Sequence, residues 1–427
     1  MEALNSYHLI IIFSITIIIS YFFNLYAKKS GVPAVLLLIG LGIVINYSLR
    51  ITGFSKPDLL PILGVLGVVG LILIVLEAAL DLELLKSKIK LIVSSFLVAL
   101  IGLGGTAYFS ALTIGFFIDV DFLSALLCTI PLSILGSAVI LPSVDDVEKE
   151  KREFVIYEST FSDILGIVAF YTVLTIANSN ESVSISVFSN LFLTIIFSVI
   201  ISYILIYIFQ NIKGHVKLFL LIAVLLLLYA VGKMFHLSSL IIILIFGIML
   251  SNYKVFFKGN LIRLLNEEKV ESVLYDMRVI TAETAFVVRT FFFIIFGWSV
   301  YLGSLLSFNV ILMGLAILAI IYLLRGFVLF IFKGKDIILE LFLAPRGLVT
   351  ILLFFAIPEE LSLGKEFQGV LLFVVLVSCL IMAWSLIAHK NKSSQNEVTI
   401  FEKEESDNDN IEKPCLIEKE DTPEKNK

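Results

Sequence analysis

Charge is what this sequence has least of. Asp, Glu, Lys and Arg together make 16% of its 427 residues, against 59% for the apolar types. Soluble domains are nearer a quarter charged and half apolar, so a water-facing shell of the usual kind is excluded. Histidine is almost missing. His8, His215, His236 and His389 are scattered at the edges of apolar runs, with no cluster for catalysis. No HExxH, CxxC, phosphate-binding glycine loop or GxSxG is present, so neither an enzyme nor a resident cofactor is expected. Two of the three cysteines, Cys128 and Cys379, lie in apolar runs and Cys415 lies in the polar C-terminal stretch, a pattern that suggests no disulfide framework. No basic region precedes the first apolar run and no small-residue cleavage site follows it, so it reads as a retained anchor. The net charge of −5, much of it from the acidic tail, gives no reason to expect a nucleic-acid partner.

What the chain does have is long apolar runs, and lipid is the solvent that accepts them. A helix needs roughly 20 apolar residues to span the hydrocarbon. Thirteen such spans are predicted, at 7–26, 32–49, 59–80, 89–118, 122–143, 153–177, 184–210, 216–233, 236–251, 285–303, 308–332, 336–357 and 366–389. The fold class is therefore an all-α polytopic membrane protein. The fourth span is long enough to be tilted or to hold an interfacial turn at Gly102, Gly104 and Gly105. Residues 252–284 are mixed in polarity and read as an amphipathic helix entering the tenth span. Residues 1–390 form the transmembrane domain. Residues 391–427 form a charged cytoplasmic tail expected to be disordered.

Orientation follows from Lys and Arg. With the N-terminus outside, the inner loops and the span ends adjoining them carry 17 of the 31 basic residues, and the outer loops with theirs carry 4. The positive-inside rule then sets the N-terminus outside and the C-terminus in the cytoplasm of a cell (inner) membrane.

Thirteen spans allow two six-span halves, 7–177 and 216–389, joined by the linker span 184–210. The offset of seven spans is odd, so the halves are inverted, an arrangement common in transporters. Gly42-Ile43-Val44-Ile45-Asn46 in span 2 echoes Gly247-Ile248-Met249-Leu250-Ser251 in span 9. Spans 5 and 12 are then counterparts, and both hold helix breakers: Pro131, Gly136 and Pro142 in one, Pro345 and Gly347 in the other. Paired interruptions point to a binding site, because freed backbone groups at membrane depth are tolerated only where protein or water meets them.

Charges inside spans are costly, at least ~2.5 kcal/mol each on insertion scales, so each is informative. Asp163 lies ten residues into span 6. That is ~15 Å along the helix, at the membrane midplane. A lone carboxylate there can hold a proton, or give it up for a hard monovalent cation, which favours oxygen ligands. The alternative is a structural Asp bonded to neighbouring hydroxyls. Glu158 stands five residues earlier, which turns it ~140° away and gives it a separate task. Its depth matches that of Arg325 in span 11, so the two are expected to form a buried ion pair joining the halves. Arg346, beside Pro345, is placed to meet helix-end carbonyls and repel cations. Arg289 reads as a snorkelling side chain, and Glu77 or Glu340 either as lining for a cytoplasmic funnel or as an ordinary solvated helix end. The alternating charges at Asp145, Asp146, Glu148, Glu150 and Glu153 read as a solvated face.

Glu158-Ser159-Thr160-Phe161-Ser162-Asp163 resembles the Glu-Ser-x-x-Asn-Asp signature of the monovalent cation:proton antiporter superfamily, in its electroneutral branch. Ala344-Pro345-Arg346-Gly347-Leu348-Val349 resembles the arginine–glycine motif of that family's second broken helix, and Val32-Pro33 and Phe296-Gly297 are also similar. The resemblance spans all thirteen segments. It implies a core and a dimerisation domain, a crossed pair of broken helices, alternating access and a homodimer. It implies that Asp163 binds proton and cation in turn and that Glu158 and Arg325 are a stabilising pair. Two positions depart from the pattern. Ser162 stands where the signature has Asn or Asp. The first broken helix reads Leu135-Gly136-Ser137-Ala138-Val139, without the usual acid, so Thr129, Ser133 or Ser137 would supply neutral oxygens. A single carboxylate suits one proton against one cation.

The leading reading is exchange of Na⁺, K⁺ or Li⁺ for H⁺. A gated cation channel on the same scaffold and a non-transporting sensor are the alternatives. Coupling of proton to cation movement separates the first two. A membrane enzyme lacks a nucleophile or metal cluster.

Overall fold

Apolar runs interrupted by proline and glycine become helices wherever backbone groups must be satisfied internally. The computed structural model describes residues 6–30, 32–51, 60–144, 147–178, 183–211, 217–234, 239–258, 265–299, 305 and 307–411. Asp145, Asp146, His215, His236 and the tail beyond 411 lie outside the described residues, among which no strand occurs. The helices are α1 (Ser6–Ser30), α2 (Ala34–Ile51), α3 (Leu60–Asp81), α4 (Ile89–Phe117), α5 (Phe122–Ser133), α6 (Ser137–Ile140), α7 (Lys149–Asn178) and α8 (Val183–Asn211). They continue as α9 (Lys217–Met234), α10 (Ser239–Ser251), α11 (Tyr253–Phe256), α12 (Glu267–Ser299), α13 (Phe308–Lys333), α14 (Ile338–Phe342), α15 (Leu348–Phe355) and α16 (Lys365–Ile411). Each of the thirteen expected spans has a counterpart. The fifth and twelfth are split, into α5–α6 and α14–α15. Among the described residues, eight helical stretches are long and apolar enough to cross a membrane, and Ala34–Ser48, Ala223–Gly232 and Ser239–Ser251 are shorter apolar helices.

Three details refine the sequence reading. α4 runs unbroken through Gly102, Gly104 and Gly105 for 29 residues. A helix glycine costs only about 1 kcal/mol against alanine, which does not stop so apolar a helix. The amphipathic stretch from Glu267 and the tenth span form one helix, α12. α16 continues to Ile411, so the first part of the segment expected to be disordered is helical. Its composition explains this: no glycine or proline stands between Gly369 and Pro414 to end it.

The helices sort into two bundles. α12 packs on α2 and α3, and α10 on α3, α8 and α9, with α1 alongside α2 and α12. In the second bundle α4 packs on α5, α7 and α13, and α16 on α13 and α14. The packing repeats under the seven-span offset. Span 2 against span 10 (α2 on α12) recurs as span 9 against span 3 (α10 on α3). Span 4 against span 6 (α4 on α7) recurs as span 11 against span 13 (α13 on α16). The glycines of the sequence echo sit at equivalent crossings: a Cβ on Gly42 would strike the Ile294 carbonyl of α12, and one on Gly247 the Ala79 side chain of α3. Thus the inverted repeat is visible in which helices touch.

Candidate functional site

Pro131 stands in the last turn of α5, which ends at Ser133, and the chain runs extended through Ile134 before α6 begins at Ser137. Likewise α14 stops at Phe342 and α15 resumes at Leu348. These two breaks cross in contact. The Gly136 N–H donates to the Pro345 carbonyl at 2.9 Å. A Cβ on Gly136 would lie 2.9 Å from the backbone of Gly347, so the crossing itself requires glycine. Buried Arg346 donates from Nη1 to the Ile134 carbonyl at 3.0 Å, and its own N–H donates to Ser378 Oγ at 3.0 Å. The Leu135 N–H donates to Ser162 Oγ at 3.0 Å. Protein groups therefore meet the backbone that the breaks set free.

α7 carries both carboxylates past this crossing. Asp163 is 2% exposed and accepts a hydrogen bond from Ser137 Oγ at Oδ2. Its Oδ1 has no protein partner. It faces the other bundle, among Ile74, Val75 and Ala78 of α3, Leu244 of α10 and Val349 of α15. Glu158 points into its own bundle instead. Arg325 grips it with two nitrogens, Nη1 on Oε1 and Nη2 on Oε2, the latter at 3.0 Å. Arg325 also donates from Nε and Nη2 to the Glu340 carbonyl, at 3.0 and 2.8 Å, so the pair holds the end of α14 as well. A cavity of about 20 Å³ between α4, α5, α7 and α13 is bordered by Glu158, Arg325, Arg346, Ser133 and Ser162.

Of the neutral oxygens expected near Asp163, Ser137 bonds it directly, while Ser162, next to it on α7, accepts from the Leu135 N–H of the break. Thr129 and Ser133 do not bond it. Thr129 Oγ1 donates to the Ala107 carbonyl at 3.0 Å, and Ser133 Oγ to the Thr129 carbonyl at 2.9 Å. A hydroxyl within a helix readily takes the carbonyl one turn back.

Arg289 is not simply snorkelling, because its Nη2 lies 3.3 Å from Glu77 Oε1. This pair lines a cavity of about 610 Å³ that also borders Asp81 and Glu283 and reaches Ala138 and Val139, just past Ser137. Matching depths across spans 3 and 10 would have found the pair, as it does for Glu158 and Arg325. Glu340 is elsewhere, fully buried with Lys333 Nζ at 2.7 Å. The cavity opens where α3 finishes. At the other end of the bundle interface the rings of Phe296 and Phe355 meet edge to face, with centroids 6.3 Å apart.

Crossed broken helices beside a buried, half-partnered carboxylate, set between two bundles that each draw helices from both inverted halves, define an ion-antiporter fold. The chain belongs to the sodium/hydrogen exchanger family: the family described as "Sodium/hydrogen exchanger, transmembrane" matches residues 12–388. Among solved structures it is similar to the sodium proton antiporter MjNhaP1 from Methanocaldococcus jannaschii at pH 8, with a TM-score of 0.68 and 21% identity over 89% of this chain and 97% of that one. An electron-microscopy map of the same antiporter gives a TM-score of 0.63 and 19% identity over 89% and 97% of the two chains. These likenesses show the fold. No curated protein sequence matches the chain. Family and fold together make this a multi-pass membrane protein of the cation/proton exchanger type.

Proposed function

We propose that the protein exchanges one monovalent cation, Na⁺, K⁺ or Li⁺, for one proton by alternating access, with Asp163 holding proton or cation in turn. The observation that carries this reading is the state of Asp163. It is buried, it faces the interface between the bundles, it has no cationic partner among the described residues, and Oδ1 is unpartnered. A proton or a cation satisfies such an oxygen, and the two exclude each other. Ser137 supplies a neutral oxygen at the same place. Glu158 and Arg325 hold α7, α13 and α14 together, and Arg346 with Pro131, Gly136, Pro345 and Gly347 maintains the crossing. The cavity lined by Glu77 and Asp81 is the route in, from the cytoplasmic side if the N-terminus is outside as the loop charges favour. A homodimer in the inner membrane completes the proposal, as the family resemblance implies.

The test is the decay of an acid-inside gradient in everted vesicles on adding NaCl, KCl or LiCl. The expected result is a cation-dependent loss of the gradient that disappears in Asp163→Asn while that variant still inserts and folds. Exchange that persists in Asp163→Asn overturns the site. No response to any of the three salts overturns exchange and favours the channel or sensor.

A further inference from the structure

One short segment joins the two bundles directly after Asp81, which lines the larger cavity. Residues 82–85 leave α3 and lead, through a single turn at Lys86–Lys88, into α4. The first bundle holds this strap firmly. Asn252, just after α10, donates from Nδ2 to the Leu82 carbonyl at 2.7 Å and accepts from the Leu84 N–H. Arg278 of α12 donates to the Leu80 carbonyl at 2.8 Å and to Glu83 Oε1 at 2.8 Å. Ser251 Oγ donates to the Leu80 carbonyl at 2.7 Å.

The second bundle reaches the strap's backbone differently. The Tyr157 hydroxyl of α7 donates to the Glu83 carbonyl at 2.9 Å. Its ring is buried in a small apolar cluster with Leu82, Phe161, Ile92 and Ala99 that stands apart from the main core. Nearby, Lys88 pairs with Glu153 of α7 at 3.0 Å. Lys88 directly precedes α4, so that pair lies within the second bundle and travels with it. Tyr157 is thus the polar side chain by which α7, the helix that carries Asp163, grips a strap fastened to the other bundle.

We propose that Tyr157 is a positioning residue: its bond to Glu83 is a latch made in the state open at the α3 end and broken when the second bundle moves. The inference rests on alternating access as proposed above. The geometry gives the latch a clean handle. The Glu83 carbonyl also accepts from the Leu85 N–H at 3.2 Å, so losing the tyrosine hydroxyl leaves no orphaned group and the strap keeps its other bonds. Tyr157→Phe therefore removes the bond while keeping the ring in its cluster.

The experiment uses the full chain carrying Cys415→Ser, with a reporter cysteine either at Ala282 on the wall of the open cavity or at Leu352 of α15, which is buried against Gly67 and Gly70 of α3 towards the closed end. Labelling rates by a membrane-impermeant maleimide are measured for each reporter in vesicles of both orientations. Removing one hydrogen bond from one state should shift the ratio of the two rates by about 3- to 10-fold towards Leu352→Cys in the Tyr157→Phe background. Lys88→Gln should leave the ratio where it is. An unchanged ratio in Tyr157→Phe, with both reporters reacting, overturns the latch and leaves alternating access standing. An equal shift in Lys88→Gln also overturns it, since mere loosening of this end would then account for both. A Leu352→Cys reporter that never reacts in any background would instead refute alternating access, and the latch with it.

Discussion

Asp163 and Glu158 stand five residues apart on one helix and meet opposite surroundings. Glu158 has both oxygens on Arg325, and that guanidinium is in turn fastened to the Glu340 carbonyl. Asp163 has one serine hydroxyl and one free oxygen, with apolar side chains facing it across the bundle interface. Burial is nearly the same, 1% and 2%, so exposure does not separate them. Partners do. A fully bonded buried carboxylate is fixed, and removing it leaves its counter-charge alone. A half-bonded one has capacity left for a ligand. The contrast also separates their places on α7: one holds the helix within its bundle and the other presents a free carboxylate oxygen to the neighbouring one.

The largest effect follows from the bonded side of this contrast. Glu158→Ala would strand the Arg325 guanidinium in a site where it is only 7% exposed. Breaking such a pair costs about 3–5 kcal/mol. Thermal unfolding in detergent should show a large loss of stability, while the apparent cation affinity of surviving protein changes little. Asp163→Asn should behave in the opposite way, with stability near wild type and exchange abolished. If Glu158→Ala instead changed cation affinity at unchanged stability, the two carboxylates would share one task and the contrast would fail.

Much of this contrast is legible in the sequence, for physical reasons. Insertion cost makes intramembrane charges few, so each can be placed by counting from a span end. That counting set Glu158 and Arg325 at one depth and Asp163 at the midplane. Helical rotation alone pointed the two carboxylates apart. Pro131, Gly136, Pro345 and Gly347 marked both breaks, because breakers act locally. What required the structure was lateral neighbourhood. Depth does not say which helix is adjacent, so Arg289 read as a lone snorkelling side chain until Glu77 appeared beside it. Thr129 and Ser133 looked available because a sequence does not show that their hydroxyls bond backbone carbonyls. The strap held by Asn252, Arg278 and Tyr157 carries no pattern, since its bonds are to main-chain atoms.

A middle-sized effect probes the crossing on which both carboxylates depend. Gly136 precedes the serine that bonds Asp163 and follows the residue whose N–H bonds Ser162. Its missing Cβ would lie 2.9 Å from Gly347 and 3.3 Å from the Pro345 carbonyl, and backbone cannot swing aside as a flexible side chain does. Gly136→Ala should therefore cost about 1–3 kcal/mol as overpacking, and it should lower exchange as well as stability. Gly102→Ala is the matched control, because nothing lies within 4 Å of its added Cβ. A stable, fully active Gly136→Ala protein would show that the breaks are not in contact during transport.

The smallest effect is the sharpest discriminator. Ser137→Ala removes the one hydrogen bond that Asp163 accepts from a side chain and creates no unpaired charge. One neutral hydrogen bond is worth about 0.5–1.5 kcal/mol, and a bond to a charged group somewhat more. If Ser137 serves the ion site, that loss belongs in the apparent cation affinity, as a shift of about 3- to 10-fold in the half-saturating concentration, with little change in unfolding temperature. If Asp163 is merely a structural carboxylate anchored by a hydroxyl, the same energy belongs in stability and the affinity stays put. Measuring both quantities on one preparation therefore assigns the hydrogen bond. Either a binding change without a stability change, or the reverse, decides whether Asp163 differs from Glu158 in kind or only in the number of its partners.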